Sequence, residues 1–167
     1  MYPIGSFVMY SSSGVCSVSD IRAESFAGTR KDYYVLMPVS GATSHIFVPT
    51  DNEKLLSRMR PLLSREEVES LITHFRSENP EWIADSRARG TYFQQALLEA
   101  DPLELIRVVK AITQRKIELA DKGKKNLMAD EQVLKRAERI LHSEFSLVLG
   151  VEVEAVSSMI ERELSHT

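Results

Sequence analysis

Residues 46–75 read IFVPTDNEKLLSRMRPLLSREEVESLITHF, and within them the spacing of the apolar residues changes. Up to Ile46-Phe47-Val48-Pro49, apolar residues alternate or cluster in short runs broken by Gly and Ser, as strands do. From Ser64 onward they recur three and four apart, as helices do, to the end of the chain. A change of period inside one chain implies two modules, a β-module over 1–62 and a helical module over 63–167. The expected fold class is therefore α+β.

Working back from Pro49, strands are expected at Ser6–Tyr10, Val15–Ile21, Asp32–Pro38 and His45–Pro49, each rich in Val, Ile, Phe or Tyr. Ser11-Ser12-Ser13-Gly14, Ala27-Gly28-Thr29 and Ser40-Gly41-Ala42 supply the turns. A fifth strand around Arg58–Leu62 must lie at an edge, because Pro61 cannot donate to a central ladder. Five short strands joined by hairpins predict a small SH3- or Tudor-like barrel, a form that limits exposed edges and usually binds a partner.

Working forward from Ser64, Ser64-Arg65-Glu66-Glu67 is a capping box that opens a helix over Arg65–Arg76 with Leu71, Ile72 and Phe75 on its apolar stripe. Asn79-Pro80 ends it, and a second helix is expected from about Glu81 to Leu98. Asp101-Pro102 caps and starts a third. Asp130 is read as the cap of a fourth that stops at Gly150, and Val153–Leu164 forms a fifth, so that about five helices make the all-α domain.

The chain of 167 residues is 43% hydrophobic and 27% charged, enough apolar material for a core. Its formal charge of −3 excludes a protein that coats nucleic acid by bulk electrostatics, so any DNA contact must be local or assisted. No apolar run is long enough to span a membrane, and Met1–Ser6 lacks a signal-peptide layout, so a cytoplasmic protein is expected. The single cysteine, Cys16, reads as a buried strand residue. His45, His74, His142 and His166 are scattered without a ligand pattern, and no phosphate-binding Gly loop or nucleophile elbow is present. Neither an enzyme nor a resident cofactor is expected.

Several motifs together resemble one family. Ile4-Gly5-Ser6-Phe7-Val8-Met9-Tyr10, Tyr33-Tyr34-Val35-Leu36, Ile46-Phe47-Val48-Pro49, Trp82-Ile83-Ala84-Asp85-Ser86-Arg87-Ala88-Arg89, Asp101-Pro102-Leu103-Glu104-Leu105, Gly123-Lys124-Lys125 and Leu141-His142-Ser143-Glu144-Phe145 occur in the order and spacing of CarD/CdnL-type bacterial transcription regulators. The resemblance spans nearly the whole chain. It implies a monomer whose barrel binds the β-subunit lobe of RNA polymerase and whose helical domain meets promoter DNA at the upstream edge of the melting bubble, stabilising the open complex.

Carried over residue by residue, the polymerase-binding positions are Glu24, Phe26, Ile46, Phe47 and Val48. Some members carry Arg where this chain has Glu24 and Phe47, so an apolar or edge-strand contact is expected here in place of salt bridges. Trp82 is the candidate wedge at a base step, with Arg87 and Arg89 as phosphate contacts. The Trp82 position also departs from many members, in which the Trp lies one helical turn nearer the equivalent of Asp101. Lys110, Lys124 and Lys125 are further DNA candidates. The competing reading makes Trp82 a packing residue and the basic residues a solvated helix face, which would leave a protein-interaction adaptor with no DNA contact.

Overall fold

The computed structural model describes residues 1–41 and 44–165, so that Ala42 of the expected third turn and His166 lie outside the described residues. The chain divides into two compact units, Met1–Leu62 and Leu63–Thr167.

In the first unit, strands β1 (Phe7–Tyr10), β2 (Val15–Phe26), β3 (Thr29–Pro38), β4 (Ile46–Pro49) and β5 (Met59–Pro61) form one antiparallel sheet in the order β4-β3-β2-β1-β5. Ala27 and Gly28, both at positive φ, make the two-residue turn between β2 and β3, the backbone that suits the twist of a hairpin. Val8, Cys16, Val18, Tyr34, Leu36, Val48 and Met59 share one buried cluster. Since Val48 and Met59 belong to the two edge strands, the sheet must curl on itself to bring them together, as the barrel reading requires. Pro61 lies on the edge strand β5, where its missing N–H leaves no central ladder bond unmade.

β2 runs five residues beyond its expected end. Its register with β3 shifts between Val18 and Asp20, so Ser19 is an extra residue. Before the bulge Cys16 and Val18 face the core, and after it Ile21 does, leaving Asp20, Arg22, Glu24 and Phe26 on the other face. The one-turn helix α1 (Glu53–Leu56), capped by Asn52, was not foreseen. So short a helix has no periodicity to read, and Leu55 and Leu56 hold it by packing on the core.

In the second unit, α2 (Arg65–Ser77), α3 (Ser86–Glu99), α4 (Pro102–Asp121), α5 (Met128–Leu149) and α6 (Val153–Leu164) pack around α5, which touches each of the other four. The capping box is complete: Ser64 Oγ accepts from Glu67 N–H at 3.1 Å, and Glu67 Oε1 accepts from Ser64 N–H at 3.0 Å. Asp101 accepts from Glu104 N–H with Pro102 in the first turn, and Gly150 ends α5 in the left-handed conformation at φ 69°. Phe75, Leu97, Leu105, Ile112, Leu141, Phe145 and Val156 are buried in the helical core.

Two boundaries differ from expectation. α3 begins at Ser86, not near Glu81, because Asp85 caps it, accepting from Ala88 N–H at 2.8 Å, and the preceding backbone is held extended. α5 begins at Met128, so Asp130 is not its cap but sits in its first turn, with its carboxylate taken by Arg89.

Candidate functional site

On the first unit, the face of β2 opposite the core carries an aromatic cluster. Phe26, at the end of β2, packs edge-to-face on Tyr33 of β3 (5.2 Å between centroids) and on Phe47 of β4 (5.4 Å). Phe26 stays 46% exposed, and Phe47 is half-buried. Strand alternation puts these rings on one face because Tyr33 and Val35 pair with Pro49 and Phe47 across the β3–β4 ladder. The Arg22 guanidinium stands 5.8 Å from the centre of the Phe47 ring and is bound by Glu24 at 2.7 Å and Asp20 at 3.5 Å.

The five polymerase-binding candidates thus separate. Glu24, Phe26 and Phe47 lie together on this face. Ile46 packs against the core cluster, and Val48, fully buried within it, offers no side chain to a partner. Among the described residues β4 pairs as a strand with β3 alone and so forms an edge of the sheet, with Pro49 O already accepting from Asn52 N–H.

On the second unit, Trp82 lies in the segment between α2 and α3, not on a helix, and is half-buried. The Arg89 guanidinium stacks over its ring at 4.6 Å and that of Arg115, from α4, at 5.6 Å. The edge of Phe93 meets it at 6.3 Å. A cleft of about 570 Å³ is lined by Trp82, Asp85, Arg115, Lys124, Lys125 and Asn126 among others. Lys124 and Lys125 are exposed, reaching this cleft from the α4–α5 connection, and among the described residues neither enters an ion pair. Asn126 Oδ1 is buried there without a hydrogen-bond partner among the described residues.

Arg89 is not available to phosphate. It is 5% exposed, and its Nε and Nη2 donate to the two oxygens of Asp130 at 3.1 Å each, while Nη1 donates to the carbonyls of Ile83 (2.9 Å) and Ala84 (3.2 Å). Four of its five N–H donors are thus turned inward. It ties the Trp82 segment to α5 through Asp130 and gives Trp82 a cation face to rest on.

Lys110 is likewise corrected. Fully buried on α4, its Nζ donates to the carbonyl of Arg76 at 3.0 Å, satisfying one of the orphan acceptors at the end of α2. Burial pushes its pKa down. Arg87 is exposed on α3 but does not line the cleft, since two residues along a helix turn it to the far side from Arg89.

A second hollow, of about 280 Å³, is lined by Pro80, Trp82, Ile83, Tyr92, Phe93 and Ala111, with Glu81 and Arg107. Its polar groups form a chain: Tyr92 Oη donates to Glu104 at 2.7 Å, and Arg107 donates to both Glu104 and Glu78. Burial, and then the hydrogen bond to Glu104, pushes the Tyr92 phenol up to about 12.

The structure therefore gathers Trp82, Arg89, Arg115, Lys124 and Lys125 around one cleft, Arg89 with its guanidinium held by Asp130, while Arg87 and Lys110 fall elsewhere. Asp130, the partner that buries Arg89, had no sequence signal beyond its acidic character near a helix start. Among the described residues no helix is long and apolar enough to cross a membrane. Residues 2–62 match a family model described as the CarD-like/TRCF RID domain, which covers nearly all of the first unit. No curated protein matches the chain.

Proposed function

We propose, from the match of residues 2–62 to the CarD-like/TRCF RID domain, that this chain is a CarD-like, RNA polymerase-interacting protein. The β-unit holds the chain on the β-subunit lobe of RNA polymerase, and the helical unit contacts promoter DNA at the upstream edge of the melted region, prolonging the open complex.

Docking through the face of Phe26 and Phe47 and the outer edge of β4 is favoured over ion pairing. The cations of that face are already bound by carboxylates, Arg22 by Asp20 and Glu24 and Lys31 by Asp51, so the apolar rings and the backbone edge carry the contact. A partner strand added to β4 gains main-chain hydrogen bonds without requiring charge.

For DNA, the supporting observation is the convergence of Trp82, Arg115, Lys124 and Lys125 on one cleft. An aromatic ring beside Arg115, which is paired with Glu118, and beside Lys124 and Lys125, which enter no ion pair among the described residues, suits the junction where stacked bases give way to open strands. Neither the acidic total charge nor a weak intrinsic affinity opposes this. A tether on polymerase raises the effective DNA concentration to roughly the millimolar range, where a few phosphate contacts suffice. The energy comes from binding alone.

Co-elution of the full-length protein with core RNA polymerase, together with the lifetime of a promoter open complex, tests both halves. Wild type should co-elute and lengthen the lifetime, Phe47→Glu should lose co-elution, and Trp82→Ala should co-elute without lengthening the lifetime. Absence of co-elution at micromolar protein would sink the docking reading. The half-burial of Trp82 beneath Arg89 favours one other reading, an adaptor that binds polymerase and a second protein. That adaptor would leave no footprint on promoter DNA, and Trp82→Ala would change no lifetime.

A further inference from the structure

We infer that the 280 Å³ hollow beside Trp82 is a receptor for one unpaired nucleobase, a site that adds to the contact proposed above and rests on the helical unit meeting DNA. Trp82 is the one described residue that lines both this hollow and the basic cleft. The two spaces therefore meet at a single ring, and they differ in chemistry.

The hollow is walled by aromatic and aliphatic groups. Phe93 meets Trp82 edge-to-face, Tyr92 is tilted against Phe93 at 5.8 Å, and Pro80, Ile83 and Ala111 complete the apolar lining. Its one cation, Arg107, is held by Glu78 and Glu104, and Tyr92 Oη is spent on Glu104. Nothing inside is free to neutralise a phosphate. The volume falls just below the roughly 300–1,000 Å³ of small-molecule sites, which leaves room for a flat ring.

Charge complementarity next door decides what kind of ring. Lys124 and Lys125 are exposed and enter no ion pair among the described residues, and Arg115 lies on the Trp82 ring. A phosphodiester held in the cleft can send its base past the edge of Trp82 into the neutral hollow. Ring and phosphate are then sorted into the two compartments that suit them. A free aromatic metabolite would leave the cleft unused, and a side chain from a partner protein would not call for its cations.

The test uses the full-length protein and three short DNAs: a duplex with a single bulged adenine, the same duplex with an abasic site at the bulge, and a perfect duplex. Emission of Trp82, the sole tryptophan, reports binding, with anisotropy of a terminal dye as the second readout. The bulged adenine should bind at least about fivefold tighter than the abasic DNA, the gain that stacking of one base on aromatic rings supplies. Ala111→Met, which fills the hollow, and Ile83→Phe as an independent filling variant, should erase that preference and leave binding to the abasic and perfect duplexes unchanged.

Equal affinity of wild type for the bulged and abasic DNAs, with both bound, overturns the base receptor and leaves the DNA contact standing. No binding of any DNA up to about millimolar concentration removes both. If the bulged base gives no gain while Ala111→Met still shortens the open-complex lifetime, the hollow serves a protein side chain and the inference is likewise overturned.

Discussion

Replacing Asp130 by Ala is the sharpest perturbation the helical unit offers. The Asp130 carboxylate takes two hydrogen bonds from Arg89 at 3.1 Å, and the side chains of both are less than a tenth exposed. Without Asp130 the guanidinium keeps the carbonyls of Ile83 and Ala84 and the Trp82 face, none of which carries a countercharge. Removing one partner of a buried pair costs about 3–5 kcal/mol, mostly for the charge left behind. At about 4 °C per kcal/mol for a domain of this size, Asp130→Ala should lower the melting temperature by at least about 12 °C.

Circular dichroism of the full-length chain during heating reads this directly, with Trp82 emission as a local report. The double variant Arg89→Met with Asp130→Leu supplies the control, because apolar groups in place of both charges are often neutral or stabilising. Its melting temperature should return to within about 4 °C of wild type. Yet its Trp82 emission should shift to the red, since the ring has lost the cation stacked over it and the carbonyls of its segment have lost their donor. A melting temperature for Asp130→Ala within about 3 °C of wild type would refute the assignment of Arg89 and Asp130 as a desolvated clamp.

Lys124→Ala with Lys125→Ala should lower the slope of log affinity against log salt by about 2 for duplex DNA, whereas Lys110→Met should leave that slope alone and cost about 1–3 kcal/mol of stability by orphaning the Arg76 carbonyl. His142 is buried on α5, and desolvation lowers its pKa. The unfolded chain therefore binds its proton first, so the contribution of His142 to stability is full above its ordinary value near 6.5 and is lost as pH falls through the depressed folded value. Urea unfolding between about pH 5 and 7 should show this loss in wild type and a flatter profile in His142→Gln. Ser64→Ala breaks the capping box and should cost about 1 kcal/mol in the same assay, with no effect on polymerase co-elution.

The change of period at residues 46–75 was enough to read a sheet followed by helices, and local chemistry was enough for the caps at Ser64 and Asp101 and the stop at Gly150. Each depends on neighbours within a few residues. The Arg89 and Lys110 positions were misread for the opposite reason. In a sequence, a basic side chain beside other basic side chains looks like surface. What buries Arg89 is a carboxylate 41 residues away, and what buries Lys110 is a backbone carbonyl 34 residues away. Spacing along a helix carries neither fact. The exposure of Lys124 and Lys125 was easier to read, because they follow Gly123, at positive φ, in a connection where a long cationic chain has no core to enter.

The extra residue in β2 acts as a reading frame. Upstream of Ser19 the even-numbered side chains point inward, and downstream the odd-numbered ones do. The same residues threaded through a regular strand, with no bulge, would exchange inside for outside along the rest of it. Asp20, Arg22, Glu24 and Phe26 would turn toward the core, and Ile21 toward water. The aromatic face thus depends on the two-for-one pairing at Ser19: deleting Ser19 would straighten β2 and keep Asp20, Arg22, Glu24 and Phe26 outside, whereas losing the bulge with Ser19 in place would erase the face without altering any residue that composes it.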